Sequence, residues 1–156
     1  MLEDNGVQFT NLNGQTVSFN NATWPLKEFE VEGTMKANRV DRMQEPGEWP
    51  TRTIQGATLI HCGGDLLLST ASAYIAERIR VLNILVPPGV INDERPSGVL
   101  TITYTDLEPM IADVALDDYP QLPMKALYPS VTEFSITFRN FSGIFVGRNS
   151  GRFYNI

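Results

Sequence analysis

Cysteine and histidine occur once each in the 156 residues, side by side as His61 and Cys62, and that scarcity closes off most protein chemistry. A lone cysteine excludes an internal disulfide framework, so the fold must stand on packing alone. One Cys beside one His lacks the convergent ligand spacing of a zinc site, and no D-x-D-x-D-G loop is present for calcium. G-x-S-x-G, G-x-G-x-x-G and P-loop patterns are also missing. No apolar run approaches the roughly 18 residues that span a bilayer, which argues against membrane insertion. The opening MLEDNGVQFT has Glu3 and Asp4 and no basic n-region, so it does not read as a secretory signal, and cytoplasmic synthesis is the expectation.

Basic charge is scarce too. Twelve Lys and Arg against eighteen Asp and Glu leave a formal net charge of −6, the wrong sign for a general nucleic-acid binder. The charge is uneven. Asp106, Glu108, Asp113, Asp117 and Asp118 follow one another with no basic residue between them, whereas no acid follows Glu133 and Arg139, Arg148 and Arg152 do. Such asymmetry suits a basic end of one subunit meeting an acidic face of another, although a solvated surface is the commoner origin of such runs.

What remains is a chain the size of one domain, expected over residues 1–156, with 42% hydrophobic residues, enough to build a core. Asn13-Gly14 in VQFTNLNGQTVSF sits between two short alternating runs and predicts a type I′ hairpin. KEFEVEG alternates strictly, Phe29 and Val31 to one side, Glu28, Glu30 and Glu32 to the other. Residues 41–51, with Pro46-Gly47 and Pro50, read as a loop or long hairpin tip. In TRTIQGATLIHC, residues Ile54, Thr58, Ile60 and Cys62 share a parity, with Gly56 in the same register. STASAYIAERIRVLNILVPP predicts one helix over about residues 70–86, capped by Ser69 or Thr70, with an apolar stripe of Ile75, Ile79, Leu82 and Val86, stopped by Pro87-Pro88. Inward-facing sets follow in three strands: Leu100, Ile102, Tyr104; Ala112, Val114, Leu116; Phe134, Ile136, Phe138. GIFVG and RFYNI supply a last strand or a docking tail. The fold class is therefore β-rich α+β, an antiparallel sandwich or barrel with one helix packed on a sheet.

The candidates for chemistry are few. On a strand, His61 and Cys62 point to opposite faces and cannot activate each other; Cys62 shares the parity of Ile60 and reads as core. CGGD, ahead of the helix, reads as a turn rather than a phosphate cradle. Adjacent acids such as Asp117-Asp118 or Asp93-Glu94 are open to glycosidase-like work, and chance accounts for such pairs in an acid-rich chain. Trp24 and Trp49 keep a second reading open, a β-sandwich carbohydrate-binding module stacking sugar on indole. An enzyme is the weakest reading: no catalytic, metal or cofactor-binding residue stands out.

The order of parts carries a resemblance. A β segment with the turn LNGQT leads to GEWPTRTIQGATLIHCGGDLLLSTASAYIAERIRVLNILVPP, then GVLTITYTDLEPMIADVALDDYPQLP and PSVTEFSITFRNFSGIF. This layout, over roughly residues 7 to 146, resembles the distal tail protein of long-tailed bacteriophages and the tail-tube fold of phage tails and related injection machines. It rests on order and spacing, with no invariant chemical motif. The resemblance implies a structural virion protein assembled in the host cytoplasm. Such a protein forms a ring of copies, commonly a hexamer, stacks against neighbouring tail-tube and baseplate or hub proteins, and encloses a lumen through which DNA passes without specific binding. Many distal tail proteins carry a second, C-terminal domain; here only the ring-forming domain is matched. In that setting Glu28, Glu30 and Glu32, and Asp113 with Asp117, are the candidates for an acidic lumen wall, and loop 41–51 with Trp49 for an intersubunit arm.

Overall fold

The computed structural model describes residues 1–33, 35–37, 40–41, 48–49, 53–86, 98–123 and 131–155. Pro87-Pro88 and Asp93-Glu94 fall outside these, and Trp49 and the rest of the proposed arm are described at most through backbone pairing. The elements are β1 (Leu2–Asn11), β2 (Thr16–Phe19), β3 (Leu26–Glu32), β4 (Met35–Ala37), β5 (Val40–Asp41), β6 (Glu48–Trp49), β7 (Thr53–Gln55), β8 (Thr58–Leu67), α1 (Ala71–Leu85), β9 (Gly98–Tyr104), β10 (Met110–Leu116), β11 (Val131–Asn140), β12 (Phe145–Gly147) and β13 (Phe153–Tyr154). This is the predicted class: antiparallel strands with a single helix.

One sheet runs in the order β2-β1-β9-β10-β11-β8-β3, antiparallel throughout, and curls over itself. Its two halves meet through aromatic rings. Phe9 of β1 stacks on Phe138 of β11 at 5.3 Å, Phe19 of β2 on Phe134 at 5.7 Å, and Trp24 meets both Phe19 and Phe134 edge-on. Strand β10 turns the corner: Met110–Val114 pair with β9, and Val114–Leu116 pair with β11. Beyond the Phe141–Ile144 interruption, β12 resumes alongside Met110 and Ile111, with β13 folded back on it. The inward parities hold for Phe134, Ile136 and Phe138, for Leu100 and Ile102, and for Thr58, Ile60 and Cys62, all buried. Tyr104 and Leu116 are half-buried against the core.

The first hairpin forms, but through a four-residue loop, Leu12 to Gln15, in which Gly14 (φ +81°) and not Asn13 takes the left-handed conformation. The reason is Asn11: its Oδ1 accepts from the N–H groups of Asn13 and Gln15, and its Nδ2 donates to the Ile84 carbonyl at the end of α1. A two-residue type I′ turn would give up this tie between hairpin and helix. Beyond β3, pairing continues through β4 with β7 and β5 with β6, as far as Asp41 opposite Glu48, in keeping with the predicted long hairpin.

The helix starts where predicted, with Thr70 Oγ1 accepting from the Ala73 N–H at 3.1 Å. Its buried face differs. Tyr74, Val81, Ile84 and Leu85 are inside, while Ile75, Ile79 and Val86 are 37%, 51% and 36% exposed and Leu82 is half-buried. Tyr74, Val81 and Leu85 each stand one residue before a predicted position, so the face is turned by roughly 100°. The position between them on the true face is Arg78, a polar residue that spacing rules exclude. It is half-buried, with Nε donating to the Leu122 carbonyl at 2.8 Å. Tyr74 Oη donates to the Pro123 carbonyl at 2.6 Å, and Trp24 Nε1 to Glu77 at 2.9 Å. These polar anchors set the rotation.

Candidate assembly surfaces

His61 and Cys62 lie on β8 and point to opposite faces, as their alternation requires. Cys62 is 1% exposed, and burial pushes its thiol up to about 12, far from a thiolate nucleophile at neutral pH. His61 faces outward, its Nδ1 in a hydrogen bond with Thr137 Oγ1 at 3.0 Å and its Nε2 3.5 Å from Glu32. Among the described residues no three His, Cys, Asp or Glu side chains converge as a metal site, and no helix is long and apolar enough to cross a membrane.

Gly63-Gly64 is not a turn. Both residues lie inside the ten-residue β8, opposite a bulge in β3 between Leu26 and Glu28. A Cβ at Gly64 would run into the Pro25 carbonyl oxygen and the Leu26 backbone, so glycine here permits close strand approach. The spot floors a cleft of about 390 Å³ that includes Lys27, Asp65 and Glu133, with Lys27 Nζ 2.8 Å from Asp65.

The adjacent acids diverge. Asp117 accepts from Arg139 Nε at 2.9 Å and Nη2 at 2.8 Å, whereas Asp118 accepts from the Tyr119 N–H. Asp117 is therefore tied within its own chain and Arg139 with it, which removes one acid and one arginine from the imagined contact between subunits. Glu108 is likewise occupied: it accepts from the Asn149 and Ser150 N–H groups and from the Ser150 and Tyr154 hydroxyls, and these donors hold its carboxyl below the usual range. Trp24 is 1% exposed, in the aromatic core, so it offers no sugar platform.

Two outer surfaces remain. On the edge strand β3, Glu28, Glu30 and Glu32 are exposed while Phe29 and Val31 are half-buried, as the alternation predicts. The other surface lies where GIFVG and RFYNI were expected to supply a last strand or a docking tail, but its apolar row was not foreseen. Ile111, Val146 and Phe153 form one row across β10, β12 and β13. Phe153 is 73% and Phe141 50% exposed, and a groove of about 450 Å³ runs between Val99, Ile111, Phe141, Ile144 and Val146. Phe141 beside a Ser-Gly turn and Phe153 beside Arg152 were the only local signals for it.

No protein-family model matches the sequence, and no curated protein matches it either. Solved structures do. A chain of the phage P2 baseplate in its activated conformation with Ca superposes with a TM-score of 0.54 at 13% identity, over 85% of this chain and 42% of that one. The corresponding structure with Sr gives 0.55 at 12% identity, with the same coverage. A chain of the tail of an empty GTA particle aligns over 100% of this chain and 98% of that one at 9% identity, with a TM-score of 0.46. The chain thus spans less than half the length of the baseplate chains it matches, and it is similar in fold to part of a phage baseplate protein.

Proposed function

We propose that this chain is a non-enzymatic structural protein of a phage-type tail, a virion component acting as a single ring-forming domain over residues 1–156. The ring is a homo-oligomer, a hexamer by the family resemblance, set at the distal end of the tail tube or in the baseplate. It is assembled in the host cytoplasm, contacts neighbouring tail and hub proteins, and serves as a conduit for DNA. The observation that carries this reading is the fold likeness to the phage P2 baseplate chain. The lone thiol, Cys62, is buried, and the lone imidazole, His61, is engaged by Thr137 and Glu32.

The glutamates of β3 are the best placed acidic wall. Like charge keeps a polyanion from adhering in transit, whereas a basic wall would bind phosphate and release counterions. Asp117 is the poorer candidate because Arg139 neutralises it. Negative-stain imaging and native mass measurement of the purified protein test the reading, alone and with the adjacent tail protein as template. Closed rings are the expected result. A particle that remains monomeric under both conditions would falsify it.

A further inference from the structure

We infer that the free edge of β3 on one copy receives the β12–β13 corner of the next copy. This rests on the ring-forming reading and names its seam. Strand β3 ends the sheet path, pairing with β8 alone among the described strands. Its outer face presents exposed Glu28 and Glu30, neither of which has a salt bridge among the described residues, while half-buried Phe29 and Val31 turn to the other face and pack against the core. The corner presents the opposite charge. Phe153 and Val146 are flanked by exposed Arg148 and Arg152, also without a salt bridge among the described residues. The nearest carboxylate, Glu108, is turned onto the N–H groups and hydroxyls of the β12–β13 turn, so it leaves the guanidiniums uncompensated.

Opposite charges across a contact steer it and fix its register, and arginine and aromatic residues are enriched in protein interfaces. Because the two surfaces differ, the contact repeats head to tail and closes into a ring when the rotation allows. The seam takes Glu28 and Glu30 out of the acidic wall and leaves Glu32 as the β3 glutamate that faces the lumen.

The test uses two full-length variants, R148E/R152E at the corner and E28R/E30R at the edge, each checked for native fold by circular dichroism. Self-association is followed by sedimentation and negative stain. Each variant alone is expected to associate at least about tenfold more weakly than wild type. A one-to-one mixture is expected to restore rings, because each reversed surface then finds a reversed partner and each native surface a native one. Milder variants, Arg152→Gln and Glu30→Gln, serve if a reversal unfolds the chain, and are expected to weaken association in the same direction. Wild-type rings that ignore these changes, or a mixture that fails to recover, overturn the seam and leave the ring reading standing. Absence of wild-type rings overturns both.

Discussion

Phenylalanine plays two opposite parts in this molecule. Phe9, Phe19, Phe134 and Phe138 are 0–4% exposed and bind the two halves of the curled sheet together, whereas Phe141 and Phe153 stand 50% and 73% exposed at the β12–β13 corner. The first group is what makes one sheet fold over on itself; ring pairs at 5.3 and 5.7 Å add directional contact to the area they bury. The second group leaves half or more of each ring in solvent, and large exposed aromatics beside arginines are the residues that interfaces favour. The contrast separates residues that make the fold from residues that use it.

The aromatic core between the two sheet halves is where the comparison breaks most violently. Phe138→Ala removes a fully buried ring stacked on Phe9, and the loss is expected to be about 3–5 kcal/mol, read by chemical denaturation. Gly64→Ala comes next. The added methyl meets the Pro25 carbonyl and the Leu26 backbone, neither of which can yield without shifting β3, so a loss of about 1–3 kcal/mol is expected by the same measurement. If Gly64→Ala is neutral, the β3 bulge is not fixed by that close approach. Tyr74→Phe tests the helix rotation more gently. It leaves the ring in place but strips the Pro123 carbonyl of its 2.6 Å donor, for an expected loss of about 1 kcal/mol.

The corner answers to pH as the aromatic core does not. Glu108 is held below the usual carboxylate range, chiefly by the Ser150 hydroxyl, then by Tyr154 and the backbone N–H groups of the turn. The folded state therefore releases this proton more readily than the unfolded chain. The contribution is complete above the ordinary glutamate range and disappears as pH falls through the depressed folded value. Protection of the Asn149 and Ser150 amides, taken relative to their intrinsic exchange rate at each pH, is expected to fall on acidification, and Glu108→Gln to show low protection at neutral pH already. Equal protection in the variant would mean that Glu108 does not hold the turn.

Much of this was legible in the residue order, for a physical reason: alternation reports which side of a strand is wet. It placed Phe29 and Val31 against the glutamates of β3, Cys62 inside and His61 outside, and the inward phenylalanines of β11. It failed where polar groups sit in apolar places. Arg78 occupies the buried face of α1 because its guanidinium reaches the Leu122 carbonyl, and a rule that counts only apolar residues turned the helix by one position. CGGD passed for a turn because glycine's need for close approach depends on a strand distant in sequence, Pro25 and Leu26. The apolar row at the corner was missed for a related reason, although GIFVG and RFYNI were expected as a last strand or docking tail. Its apolar row is assembled from three strands, and no single strand shows more than one member of it.

The smallest expected effect on stability is the sharpest test of the contrast. Phe153→Ser exchanges the more exposed of the two corner rings for a small polar group, on a two-residue strand at the sheet margin. A surface change of this kind is expected to alter unfolding free energy by no more than about 0.5 kcal/mol. The same substitution removes the exposed ring from the proposed seam, so self-association should weaken while the melting profile stays put. A loss comparable to that of Phe138→Ala would make Phe153 a member of the core and dissolve the distinction. Unchanged folding with weakened association would place it with Arg148 and Arg152 in the proposed contact with another copy of the chain.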